Sequence, residues 1–174
     1  MALTLDTMPL IVTLLVTAVA AFTDTRHGII PNWLTFPTLA AAPLVHLVIG
    51  GPGALGHSLL SAIVCGLVPL FLFAKGAMGG GDVKLFAAIG AMLPLELALG
   101  LQLQAYLCVA FLAMAVLALR GHLLAVLVST YRIATPWKRR EARPIASEAA
   151  LHTVRMGLGI FFAALLALVP ELLP

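Results

Sequence analysis

The sequence predicts an all-α integral membrane protein, a bundle of six transmembrane helices with its N-terminus outside. Three observations predict this. The 174-residue chain is 62% hydrophobic and only 10% charged, with a mean hydropathy of +1.11; a soluble domain is about half apolar and about a quarter charged. Apolar runs of roughly 17–20 residues, long enough to cross a bilayer, recur along it. The basic residues fall on one side when those runs are laid across a membrane. In lipid such runs must be helical, because every backbone polar group needs a partner within its own segment. The alternating pattern of a membrane barrel is absent.

The elements follow in order. The first span, 7–23, contains an apolar run and an Ala18-Val19-Ala20 that mimics a signal cleavage site. A signal peptide wants a positive leading region, and the charged side chain ahead of this run is Asp6, so the span is read as retained. Pro31 and Asn32 turn the chain into a second span, 33–50. Gly50-Gly51-Pro52-Gly53 reads as a loop before a third span, 57–74. The fourth, 83–94, is short, roughly 17 Å at 1.5 Å per residue against a hydrocarbon core of about 30 Å. The expectation is that the glycine loop before it dips inward and lines a wet cavity open to the cytoplasm. The fifth span, 97–119, and the sixth, 152–170, are joined by an inner basic loop, 120–151. Residues 1–174 read as a single domain without internal repeats.

Charge supports this layout. The inner side receives Arg26, Lys75, Lys84, Arg120, Arg132, Lys138, Arg139, Arg140, Arg143 and Arg155, all ten Lys and Arg of the chain. The outer side holds Asp6, Glu96 and Glu171. The net charge of +3 therefore reflects membrane orientation and not nucleic-acid binding. The basic run 138–143 is expected to rest near anionic lipid headgroups. Cys65 and Cys108 lie inside apolar runs with neither CxxC nor zinc spacing, so they read as buried thiols. No histidine pair has HExxH spacing. No metal and no cofactor are expected.

Two polar islands interrupt the apolar chain: FTDTRHGIIPNWLT, with Asp24, and GAMGGGDVKLFAAIG, with Asp82. Both aspartates fall at helix ends on the same membrane face. Taken singly, Asp24 reads as a partner of Arg26, Asp82 as an N-cap of the fourth helix, and the glycines as a packing device. Together they read as chemistry. An acid near hydrocarbon costs about 2.5–3.5 kcal/mol by insertion scales, which makes it a functional candidate. Two carboxylates a few ångströms apart share a proton, one acting as base on a water and the other as acid. Gly79, Gly80 and Gly81 allow φ > 0 and leave no side chains, so that a substrate strand can approach.

The islands resemble the motifs of a known family. Asp24-x-Arg26-x-x-x-Ile30-Pro31-Asn32-x-Leu34-Thr35 resembles the first motif of the prepilin peptidases, and Gly79-x-Gly81-Asp82-x-Lys84-Leu85 resembles their GxGD motif. Presenilin-like proteases share the GxGD signature. The short chain looks like the stand-alone form that serves tight-adherence, Flp-type, pili. The resemblance implies a GxGD-protease-like fold in a bacterial inner membrane. It implies an aspartic endopeptidase that removes the short positive leader of prepilins or pseudopilins at the cytoplasmic face, after a glycine. On that resemblance Asp24 and Asp82 are the catalytic pair. Gly79 and Gly81 shape the loop, with Gly80 between them. Lys84 occupies a motif position where it holds Asp82 or an anionic group, and Arg26 and Asn32 are structural.

This chain departs from the pattern in two ways. The zinc-binding cysteine cluster of longer members is absent, which implies peptidase activity without N-methyltransferase activity. Where short members begin the last helix with a proline-tyrosine-glycine turn, Arg155-Met156-Gly157 keeps only the glycine. Rival readings are a small proton- or cation-linked transporter, a GxGD protease of other transmembrane substrates, and an idle assembly scaffold. Against the transporter, no acid in the outer half completes a path across the bundle.

Overall fold

The structure, a computed structural model, describes residues 7–119 and 156–173. Among the described residues the elements are α1 (Met8–His27), α2 (Asn32–Ala74), α3 (Gly80–Met92), α4 (Leu95–Leu119) and α5 (Met156–Leu172). The expected basic loop at 120–151 and the expected start of the last span at 152 lie outside them.

The expected six-helix bundle is corrected. The described elements are five helices, and three of them, over Met8–His27, Asn32–Ala74 and Leu95–Val116, are long and apolar enough to cross a membrane. The glycine-proline stretch read as a loop is helical. Only Gly51 leaves helical angles (φ 74, ψ −169). Pro52 follows it at once, and a proline in a first helical position gives up an N–H that has no partner there anyway. The expected second and third spans are therefore one 43-residue element with a break one residue wide. Straight, it would run about 65 Å, twice the hydrocarbon thickness; the glycine gives it a bend. α3, with 13 residues, reaches only about 20 Å. The N-terminus-outside orientation rested on six crossings and falls with that count.

Many small and polar side chains lie inside this molecule beside a few large apolar ones, and most of the large apolar side chains lie outside. Leu15, Phe22, Trp33, Val48, Phe71, Phe111 and Leu166 are exposed. Thr13, Thr17, Ser58, Ser61 and Gln102 are buried, with alanines at 20, 62, 88, 91, 105, 163 and 164. Lipid-embedded bundles have this distribution, because small residues let helix backbones approach and polar ones join them. The buried threonines of α1 bond back to their own helix: Thr13 Oγ1 donates to Pro9 O at 2.7 Å and Thr17 Oγ1 to Thr13 O at 2.9 Å.

α3 is the centre. Leu85, Phe86, Ala88, Ile89 and Ala91 are fully enclosed. α2 lies along it so closely that a Cβ on Gly90 would stand 2.6 Å from the Ser61 carbonyl oxygen. The C-terminal carbonyls of α3 have no helical donors beyond them. Ser58 Oγ donates to Ala91 O at 2.6 Å and Ser61 Oγ to Leu93 O at 3.4 Å. A similar repair operates at Pro69, whose missing N–H releases the carbonyl of Cys65 four residues earlier. Gln102 Nε2 of α4 donates to that carbonyl at 3.2 Å. Cys65 is a buried free thiol and Cys108 a half-buried one. α5 packs against both α1 and α4.

Candidate active site

α1 brings Asp24 inward by helical periodicity. Thr13, Thr17, Ala20, Ala21 and Asp24 form its buried stripe. The helix then stops at Gly28, whose left-handed backbone (φ 71) lets its N–H bond the Asp24 carbonyl at 2.8 Å. Asp24 is thus fixed by its main chain one turn before the helix ends.

Asp82 stands in the first turn of α3, which is not among the helices able to cross a membrane. The N-cap is Gly79, in extended conformation (φ −76, ψ 147), and not Asp82. The carboxylate accepts from the backbone of Gly79 and from its own backbone, one half of a capping box. The glycines before it serve closeness and not the positive φ expected from sequence: that conformation occurs at Gly76 (φ 73) and at none of Gly79, Gly80 and Gly81. A Cβ at Gly79 would stand 3.0 Å from Asp82 Oδ2. One at Gly81 would stand 3.0 Å from Ile30 Cβ, and one at Gly80 3.4 Å from the Phe73 ring. The neighbours that approach these glycines are the protein's own.

The two islands meet. Gly81 rests on Ile30, and Lys84 Nζ donates to Asn32 Oδ1 at 2.9 Å. The same ammonium lies 4.9 Å from the centroid of the Phe36 ring. Asp24 and Asp82 are both buried, at 9% exposure each, and close enough for the charge of Asp24 to act on Asp82. Burial first, and that charge second, push the Asp82 carboxyl up from 3.8 to about 6, with the backbone hydrogen bonds of Gly79 and Asp82 partly offsetting them. A carboxyl in that range holds or yields a proton near neutrality, as a general acid must.

The remaining sequence candidates separate. Arg26 is exposed, and its guanidinium lies 4.8 Å from the centroid of the Phe22 ring. Asn32 and Lys84 tie the islands together beside the carboxylates. The residue that sequence reasoning noticed without giving it a role is Gly157: its N–H donates to Asp24 Oδ2 at 2.9 Å. Its only sequence signal was the glycine kept from the turn that opens the last helix. Among the described residues no group of three His, Cys, Asp or Glu side chains is arranged to hold a metal ion. His46 bonds its own helix, Nδ1 to Ala42 O at 2.8 Å. It lines an apolar cleft of about 490 Å³ between Met8, Val12, Val45, Ile49 and Met92, a cleft that no aspartate lines.

A helical, lipid-type bundle that buries two aspartates near helix ends, within electrostatic reach of each other, defines a class: a membrane-type protein with two interacting carboxylates. The model of the type IV leader peptidase family matches residues 11–134. The chain belongs to that family. It is 34% identical over 100 residues to the prepilin peptidase EppA of Methanothermobacter thermautotrophicus, an alignment covering 53% of this chain. The chain spans only 25% of that relative's length. No solved structure matches it.

Proposed function

We propose that this chain is a prepilin leader peptidase of aspartyl type, acting on Flp-type prepilins or pseudopilins at the cytoplasmic face of a bacterial inner membrane. The observation that carries the reading is the burial of Asp24 and Asp82 together, in a chain of the leader peptidase family. The relative named a prepilin peptidase supports the substrate class. Arg26 and Lys84 lie two residues from Asp24 and Asp82 in the chain, and basic residues beside a site favour its facing the cytoplasm. The chain has two cysteines, Cys65 and Cys108, too few for the zinc-binding cluster of the longer members, and we propose peptidase chemistry from this chain without N-methylation.

The chemistry divides between the carboxyls. Asp24 takes a proton from a water, and the hydroxide formed attacks the scissile carbonyl carbon. Asp82, the protonated partner, gives its proton to the carbonyl oxygen, leaving a gem-diol. In collapse, Asp24 passes its proton to the amide nitrogen as the C–N bond breaks. Asp82 recovers one from a gem-diol hydroxyl, restoring both groups.

The test is product analysis. The purified chain in detergent, mixed with a Flp-type prepilin, should release the leader as one fragment, identified by mass spectrometry as ending in glycine. Intact substrate after long incubation with several prepilins would overturn the reading.

A further inference from the structure

Gly157 is the second residue of α5 and is buried. Amides in the first turn of a helix have no intrahelical acceptor. That of Gly157 donates to Asp24 Oδ2 at 2.9 Å, across 133 positions of sequence. The approach needs a bare Cα. A Cβ at 157 would stand 2.8 Å from Asp24 Cβ, 2.9 Å from Asp24 Oδ2 and 3.2 Å from Ala21 Cα. Two of these atoms belong to rigid parts of α1, so the strain cannot be relieved by turning a flexible side-chain end. Gly159, half a turn further on, faces a different helix: a Cβ there would overlap Cγ2 of Val109 on α4. α5 therefore touches α1 and α4 through two separate glycines, and only the first meets a carboxylate.

We propose that Gly157 is a positioning residue: its backbone N–H and its missing side chain together fix the orientation of the Asp24 carboxylate toward the reacting water. The proposal rests on the reading of Asp24 as catalytic. It adds a third helix to the site, so that α5 acts on the chemistry without contributing a side chain. Gly28 holds the main chain of Asp24 and Gly157 holds its carboxylate.

The test compares two substitutions on one helix. Gly157→Ala should lower kcat about 10²-fold, the scale of an ångström's misplacement, with KM within about twofold. Gly159→Ala in a Val109→Ala background should leave kcat per folded molecule within about threefold. Equal losses from both, or full kcat in Gly157→Ala, would reduce Gly157 to ordinary packing and overturn the proposal. Should Gly157→Ala fail to fold, amide spectra of ¹⁵N-glycine-labelled protein decide. Asp24→Ala should move the Gly157 amide proton upfield and leave Gly159 in place; an unmoved Gly157 signal overturns the proposal. An Asp24→Ala variant that still cleaves would instead sink the catalytic reading, whatever Gly157 does.

Discussion

Lys84 Nζ donates to Asn32 Oδ1 at 2.9 Å, joining residues 52 positions apart. It is a direct polar link from the first residue of α2 to the fifth residue of α3.

This link should matter for activity and little for stability. It is exposed to solvent, where such contacts contribute roughly 0–1 kcal/mol. Lys84→Met and Asn32→Leu should each lower kcat on the order of tenfold, with melting temperatures nearly unchanged. The double variant should lose no more than either single one, because both remove the same contact. Additive losses in a leader-cleavage assay would show that the two residues act separately.

The raised Asp82 carboxyl predicts the pH behaviour. Its pKa of about 6 in the fold exceeds its ordinary 3.8, so the native state binds this proton more tightly than the unfolded chain. The resulting stabilisation is complete below 3.8 and is lost as pH rises through about 6, a span worth at most about 3 kcal/mol. Cleavage should decline on the alkaline side of about 6 as the acid is deprotonated. Asp82→Asn, which cannot ionise, should be inactive yet unfold at a higher temperature than wild type near pH 8, with the gap closing toward pH 4. A gap of the same size at both pH values would contradict the assignment.

The glycine run should show a graded response. At Gly80 an added Cβ meets the end of the Phe73 ring at 3.4 Å, which can yield. At Gly79 it presses on the Asp82 carboxylate, and at Gly81 on Cβ of Ile30, each at 3.0 Å. Gly80→Ala should therefore keep cleavage within about threefold. Gly79→Ala and Gly81→Ala should each lose on the order of tenfold or more. Ile30→Ala should not rescue Gly81→Ala, because the contacting Cβ remains. Equal tolerance at all three positions, measured by initial rates, would refute the packing account.

The family was legible in the sequence because its signal is local: two polar islands in an apolar chain, each with fixed spacing around an aspartate. Apolar composition likewise gave the helical, lipid-facing character of the outer residues. What escaped depends on contacts between distant residues or on single dihedral angles. Gly50-Gly51-Pro52-Gly53 has the composition of a loop, yet only Gly51 leaves the helix, so two expected helices form one bent element. Gly79, Gly80 and Gly81 suggested unusual dihedrals, yet they are bare because Asp82, Phe73 and Ile30 stand against them. The motif position of Lys84 does not announce its partners, Asn32 and the Phe36 ring, which come from another helix. Gly157 acts through a main-chain amide, which no residue type announces.

The central claim is that Asp24 and Asp82 act as one catalytic pair. The most direct measurement is leader cleavage of a Flp-type prepilin by purified wild type, Asp24→Ala and Asp82→Ala, read as a mobility shift on a gel, with folding of each variant checked by circular dichroism. The account predicts that wild type cleaves and that each folded variant is inactive. Substantial cleavage by either folded alanine variant would contradict it.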